Sequence, residues 1–357
     1  MINNDILYSN FIKYDKLYHM CMKAFYNRND INVIDIMIDM NSLTRDLYKY
    51  PNSVYDPRMI AASMINLCAH LKQYFYSRHN VYTKIYIVYA TNRPKGALKF
   101  CPSYNAHYIT KINANIHVTQ SILDSCELLK SICPYLQDIY FIKDNYDNEA
   151  SFIMAYFCNK RESGDYHIIY SKDAYTYQLV AQCSNTCLFR PRKSREGDTS
   201  YLVLKSNIYE TYREEELRNK PIKIGNSISH ELFGLMIALN GFKFRGIPNT
   251  ISNGTDGYSL NNRNSLKIIQ NAIIKKNILN GYIFPTNIDP VVLGVPEVLT
   301  DTFCNRFKAL DLVYQYNINA LILEEIESNV INLYDPMSVQ AINNSEFKNF
   351  PLDLNNL

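Results

Sequence analysis

From residue 31 to residue 171, short β-branched runs alternate with stretches of helical spacing, and this alternation restricts the fold more than any other feature. INVIDIMIDM (Ile31 to Met40) reads as a strand, and the four-residue separation of Asp35 and Asp39 puts both on one of its faces. Met59 to Tyr76 has helical spacing, and KIYIVYA (Lys84 to Ala90) is a short apolar strand of the buried, parallel type. Thr119 to Cys133 then reads as helix, Gln137 to Ile142 as strand, Asn148 to Arg161 as helix and Tyr166 to Ser171 as strand. Such alternation implies βαβ units around a parallel sheet, with ligands at the carboxyl ends of the strands. Asp39, Ala90, Asp144 and Asp173 are expected on that rim.

Around this core the pattern changes. Apolar positions from Leu7 to Phe25 recur every three or four residues and predict an opening amphipathic helix. Thr91 to Val118 is basic and broken by Pro94, Gly96 and Pro102, so an irregular or mobile segment is expected. After Cys183 comes a basic loop, FRPRKSREGD (Phe189 to Asp198), then helices over Ser229 to Leu239, Ser265 to Leu279 and Ala320 to Val330. The expected architecture is an α/β layer domain over 1–200 and a helical C-terminal region over 201–357.

Composition excludes several classes. With 357 residues, 47% apolar and 20% charged, the chain can bury a large core and lacks the make-up of a disordered protein. Thirty-seven basic against 34 acidic residues leave a formal charge of +3, too small to announce a nucleic-acid partner without a local patch. None of the nine cysteines forms a CxxC pair, so buried reduced thiols are expected rather than a zinc site. His107, His117 and His230 do not pair into one either. The first thirty residues contain no apolar core typical of a signal peptide, and no apolar run reaches the ~20 residues that cross a bilayer. A soluble protein in a reducing compartment, with no membrane partner, is expected. Thirty tyrosines and no tryptophan point to an AT-rich coding bias, as in some phages and parasites.

Three carboxylates fall at the ends of sheet elements: Asp39, Glu149 and Asp173. If they converge they can hold Mg²⁺ or Mn²⁺ through oxygen ligands and polarise a phosphodiester. The same positions also suit a simpler role, with Glu149 at a helix N-terminus and the two aspartates capping turns.

The order of motifs resembles the 5′ nuclease superfamily, the flap endonucleases and phage or bacterial 5′–3′ exonucleases built on a PIN-like sheet. IDMNSLTRDLY (Ile38 to Tyr48) is similar to the first strand, which brings an aspartate to the metals. YIVYATNRPKGALKFCPSYNAHY (Tyr86 to Tyr108) resembles the second strand and the DNA-contacting arch. DNEASFIMAYF (Asp147 to Phe157) resembles the Glu-Ala-Asp-Asp helix, and IIYSKDAYTYQLV (Ile168 to Val180) the strand ending in Ser-x-Asp-x-Asp. ELFGLMIALNGFKFRGIPN (Glu231 to Asn249) resembles the turn that begins the helix-turn-helix-like DNA-gripping motif. The resemblance implies catalytic and metal-binding roles for Asp39, Glu149 and Asp173.

The departures from that pattern carry as much information. Ala90 stands at the strand-two aspartate, Ser151 and Phe152 at the two aspartates after Glu149, and Tyr175 at the second aspartate of the Ser-Lys-Asp turn. Phe242 and Arg245 replace the two acids of the later turn, and Ala97, Asn105 and Tyr108 replace the basic residues of the arch. Aromatic rings fill space with apolar surface where a hydrated ion would sit. Arg245 adds a fixed positive charge. Asp35 or Asp144 is a candidate fourth ligand for a single-metal mechanism. For nucleic-acid contact the candidates are Lys95, Lys99, Lys111, Arg190, Arg192, Lys193 and Arg195 toward phosphates, Tyr104 and Phe100 for base stacking, and the backbone near Gly246.

Three functions follow. The first is a phage or viral protein of 5′-nuclease fold that binds nucleic acid, DNA ahead of RNA, with catalysis reduced or lost. The second is an active Mg²⁺- or Mn²⁺-dependent 5′–3′ exonuclease or flap endonuclease. The third is a structural subunit of a viral protein complex. Its expected location is the host cytoplasm or the virion.

Overall fold

In the computed structural model, the described residues are 31–49, 55–90, 94–144, 148–160, 166–183, 185–191, 193–194, 197–198, 201–204, 208, 233–242, 245–247, 300–312, 314–315 and 320–331. The expected helices at Leu7 to Phe25 and Ser265 to Leu279 lie outside them.

The strands form where β-branched residues are buried on both faces. β1 (Val33–Asp39), β2 (Tyr82–Ala90), β3 (Ile139–Asp144), β4 (Tyr166–Tyr170) and β5 (Thr186–Arg190) are mutually parallel, and β8 (Tyr201–Val203) closes one edge antiparallel to β5. The six-stranded order is β3-β2-β1-β4-β5-β8, so the chain first winds outward from β1 to β3 and then returns to the other side of β1 as β4. That reversal opens a crevice at the carboxyl ends of β1 and β4. A small separate hairpin pairs β6 (Lys193–Ser194) with β7 (Gly197–Asp198) within the expected basic loop.

Helices cover both faces. α1 (Met40–Thr44) follows β1 directly, and α2 (Pro57–His79) runs back beneath the sheet. α2 starts where Asp56 accepts a hydrogen bond from the Arg58 amide and Pro57 takes the first turn. It stops at Asn80, whose left-handed backbone (φ 53°) points its N–H back at the last carbonyls. α2 and α5 (Ile116–Ile132) bury Leu67, Leu71, Ile122 and Leu129 with Ile34, Ile36 and Ile38 of β1. On the opposite face, α6 (Ala150–Lys160), α7 (Tyr177–Gln182), α8 (Phe233–Asn240), α9 (Thr300–Leu310) and α10 (Ala320–Ile331) enclose Met37, Val88 and Ile169. Helices from beyond residue 200 therefore share one core with the sheet.

Within the segment expected to be irregular, most of the described residues are helical. α3 (Lys95–Phe100) and α4 (Ala106–Asn113) precede α5. Pro94 stands just before α3 and Pro102 between α3 and α4, so each proline ends a helix or precedes one without interrupting it. No described helix is long and apolar enough to cross a membrane. The eight described cysteines are free, and seven are buried.

Candidate functional site

Parallel register levels the strand ends. Asp39 lies opposite Val88, Ile38 opposite Tyr170 and Ala90 opposite Asp144, so Asp39, Ala90, Asp144 and the turn holding Asp173 form one rim. Asp39 begins α1 by accepting from the Ser42 amide at 3.0 Å, and its other oxygen accepts from Ser171 Oγ at 2.6 Å. The Asp173 amide in turn donates to Ser171 Oγ at 3.0 Å, so one serine joins the two aspartates. Asp173 also accepts from the Tyr175 amide at 3.0 Å, which starts the turn Ala174–Thr176. Both aspartates thus cap local structure at the carboxyl end of the sheet.

Glu149 stands just before α6, yet its carboxylate turns inward and is 3% exposed. Tyr104 Oη donates to Glu149 Oε2 at 2.6 Å. Arg245 Nη2 donates to Glu149 Oε1 and, at 2.7 Å, to Asp173 Oδ2. One guanidinium nitrogen therefore sits between two carboxylates, and Arg245 is 2% exposed. Arg245 Nε donates to Tyr104 Oη at 3.2 Å, and Arg45 Nη2 reaches Asp173 Oδ2 from the half-exposed side at 3.2 Å. A tight turn delivers Arg245: Phe242 and Ile247 exchange backbone hydrogen bonds of 2.7 and 3.1 Å, and Gly246 adopts φ 68°. That positive φ is accessible to glycine at little cost. The Arg245 carbonyl accepts from the Asn105 amide at 2.8 Å, which ties the turn to α4.

Aromatic side chains fill the positions beside Arg245. Its guanidinium carbon is 4.9 Å from the Tyr175 ring centroid, and that ring lies 6.4 Å from Phe152 and 5.7 Å from Phe242. Phe152, Tyr175 and Phe242 stand at three of the places where the resembled family pattern has acids, and they meet in space as a buried aromatic cluster. At the strand-two position, Asn41 takes over the end of β2: its Nδ2 donates to the Ala90 carbonyl at 2.8 Å, and its Oδ1 accepts from the Ala90 amide at 2.9 Å.

Burial raises the Asp39 carboxyl above the usual carboxylate range, and the neighbouring charge of Asp173 adds to the rise. Burial likewise raises Glu149. Burial opposes ionisation of Asp173 too, but Arg245 and Arg45 outweigh it and hold this carboxyl well below the usual range. The directions differ because Asp173 faces two guanidinium groups and a backbone N–H, whereas Glu149 faces one guanidinium and a phenol. Asp173 is the permanent anion of the site. The Arg245 guanidinium is disfavoured by burial but held firmly charged by Asp173 and Glu149.

Several sequence expectations require correction. Tyr104 is no stacking platform: it is fully buried, and its hydroxyl serves Glu149. Both cationic neighbours of Phe100 lie over its ring, Lys308 Nζ at 5.5 Å and Lys99 Nζ at 5.9 Å, while Tyr314 meets it edge-on at 5.6 Å. Asp35 pairs in register with Lys84 and His167, roughly 13 Å along β1 from Asp39 at the rise of an extended strand, too far to be a fourth ligand. Asp144 accepts from Asn148 Nδ2 at 2.6 Å. Near Gly246, the amides of Phe242, Arg245 and Ile247 are spent within the turn instead of facing a phosphate.

Of the basic candidates, Lys95 and Lys99 are exposed on α3. Arg190 is half-buried at the end of β5, 5.4 Å from the Tyr177 ring. Lys193 has its backbone in β6, while its side chain, that of Lys111, and residues Arg192 and Arg195 lie outside the description. His117 is exposed. Sequence reasoning missed Asn41, Arg45 and Ser171. Ser171 had a signal, its place in the Ser-Lys-Asp segment; Arg45 and Asn41 had none beyond proximity to Asp39. Among the described residues, no group of three or more His, Cys, Asp and Glu side chains is placed to hold a metal ion.

No protein-family model and no curated protein matches the chain. Solved structures do. A bacteriophage T5 5′-exonuclease with bound divalent zinc ions is 16% identical over 85% of this chain and 100% of its own, at a TM-score of 0.54. A bacteriophage T5 flap endonuclease, described as a pseudo-enzyme–product complex with DNA and metal ions, is 15% identical over 84% and 98%, at 0.52. The T5 protein co-crystallised with metal ions is 14% identical over 84% and 99%, at 0.53.

Proposed function

We propose that this chain, whose fold is that of the 5′ nuclease superfamily, binds nucleic acid without cutting it. One observation carries the reading: a buried arginine lies between Glu149 and Asp173, two of the residues that the family resemblance implies as metal ligands. The residues present do not fit a divalent cation. Asp173 Oδ2 and Glu149 Oε1 already share one guanidinium nitrogen, and three acidic positions of the family pattern are a buried aromatic cluster. A cation placed there would meet a fixed positive charge in a low-dielectric site and lack the carboxylates to offset it. Asp39, Glu149 and Asp173, the residues implied as metal ligands and catalysts, are assigned instead to an ionic network that holds β1, β4, α6 and the Arg245 turn together.

For binding, the supporting features are the exposed Lys95 and Lys99 of α3, with Arg190 and the basic stretch of Arg192, Lys193 and Arg195 that follows it in the sequence. DNA is the proposed ligand ahead of RNA, since one of the fold's solved relatives is a complex with DNA. The test pairs two assays. A labelled 5′-flap duplex and a single-stranded oligonucleotide are incubated with Mg²⁺ and with Mn²⁺, and both should remain intact. Binding of the same oligonucleotides should weaken steeply with salt. Metal-dependent cleavage abolished by Asp173→Asn would establish the active-nuclease reading. Absence of binding at low salt would leave a complex-forming subunit.

A further inference from the structure

We infer that the apolar stripe within the first thirty residues docks on an exposed patch of Val33, Tyr76 and Tyr82 at the amino ends of β1 and β2, a cover that the chain supplies to itself. Among the described residues six large apolar side chains are exposed, and three of them meet here: Val33 at 43%, Tyr76 at 53% and Tyr82 at 61%. Parallel register sets Val33 opposite Tyr82, and the last turn of α2 brings the Tyr76 ring to 5.4 Å from the Tyr82 ring. Apolar side chains exposed singly need no partner, whereas a contiguous group contributed by three elements marks a contact surface. Tyrosine suits such a surface, because its ring can be covered while its hydroxyl still reaches water. The patch lies at the opposite end of the sheet from Asp39 and Asp144, so its cover does not depend on what the carboxylate rim binds.

The chain enters the fold at this patch. Ile31 packs on the core cluster that holds Ile34 and Ile85, and the Asn32 carbonyl accepts from the Tyr82 amide at 2.9 Å. Thirty residues precede that entry point, and they carry a matching surface. Leu7, Phe11, Tyr14, Leu17, Cys21 and Phe25 recur at the spacing of one helical face, while Lys16 and Lys23 fall on the opposite side. A single helix of this length is marginal in water unless its apolar face is covered. Asn27, Asn29 and Asp30 are turn-forming residues, which lets the stripe fold back over the entry point. Tethering favours this segment over a second copy of the chain. Joined by a few residues, it has an effective concentration roughly in the millimolar range. A stable complex between two copies needs about 800 Å² from each partner, more than three part-exposed side chains supply.

The sequence contains no tryptophan, so Tyr82→Trp in the full chain places a single fluorescent reporter on the patch. Its emission should be that of a shielded indole, with acrylamide quenching several-fold weaker than for free tryptophan. Adding Leu17→Asp to the stripe should move the emission to longer wavelength and restore the quenching. Lys16→Glu, on the opposite side, should change neither. Far-UV circular dichroism and urea unfolding check that each variant keeps its fold, and Tyr76→Trp repeats the measurement from α2 should Tyr82→Trp not fold. Sedimentation separates the occupants. Shielding that persists on dilution of a monomer supports docking within one chain, whereas shielding that disappears as a dimer dissociates gives the patch to a second copy and overturns the inference. A reporter exposed to water in the full chain overturns it, as does one that stays shielded when Leu17→Asp is added.

Discussion

A guanidinium carries five N–H donors and a charge that cannot be titrated away, so burying one demands anions in return. Arg245 finds them in Glu149 and Asp173, with the Tyr175 ring against its face. Removing one partner of such a network strands the others. In metal-free buffer, Arg245→Ala should cost roughly 3–5 kcal/mol of stability, measured by urea unfolding with the native chain alongside. The pH dependence follows from Asp173. Its folded carboxyl titrates below its unfolded value near 3.9, so the unfolded chain binds a proton first as pH falls. The stabilisation is complete above about pH 4 and is lost below it as pH approaches the folded value. Asp173→Asn should flatten this acid limb, and an unaltered limb in a pH series of unfolding curves would contradict the assignment.

At the level of the element, the site depends on how strands end. β1 hands over to α1 without a loop, and Asp39 is both the last strand residue and the cap of the helix. Asn41, two residues on, stands in for a further strand by hydrogen-bonding both the amide and the carbonyl of Ala90. Asn41→Ala would leave these two buried backbone groups unmatched, at a cost of about 2–4 kcal/mol readable as a lower urea midpoint. A serine variant too short to reach both groups should recover little of it. The elements themselves were legible: period-two alternation and β-branched runs located β1 to β4 to within a few residues, and helical spacing located α2, α5, α6 and α10. The segment from Lys95 onward was misjudged because proline and glycine were read as breakers, whereas Pro94 and Pro102 flank helices they do not enter. Spacing reports periodicity, not whether a proline falls before a helix or within it.

For the whole molecule, the C-terminal helices are part of the site's support. Tyr175 Oη and Gln178 Nε2 both donate to the Leu310 carbonyl, at 2.6 and 2.9 Å, so α9 anchors the turn that follows β4. Gly234 lets α8 approach the same corner, since a Cβ there would stand 3.0 Å from Asp311 Oδ2. The core also buries thiols on both faces of the sheet. Burial pushes Cys126 up to about 12 and raises Cys68, Cys133 and Cys158 as well. An unfolded thiol ionises near pH 8.5 while these stay neutral, so stability is full below that value and falls as pH rises above it. Each such thiol should contribute a loss of up to about 1.4 kcal/mol per pH unit, and stability measured between pH 8 and 10.5 should decline accordingly. Iodoacetamide at pH 8 should label the four slowly until the chain is unfolded in urea.

Read alone, the sequence determined a parallel α/β sheet, its rim of Asp39, Ala90, Asp144 and Asp173, and the list of positions where acids had given way to Phe152, Tyr175, Phe242 and Arg245. The sheet and its rim follow from local periodicity and residue chemistry, which a linear chain displays directly; the list of replaced acids follows from the resemblance to the 5′ nuclease pattern. Only tertiary structure decided that the replacements touch one another, that Arg245 reaches both Glu149 and Asp173, and that Tyr104 serves the carboxylates in place of a base. Those facts depend on contacts between residues 23 to 141 positions apart, brought together by strand order and by a turn. No local pattern encodes them, because the free energy that selects them comes from burying charge and aromatic surface together.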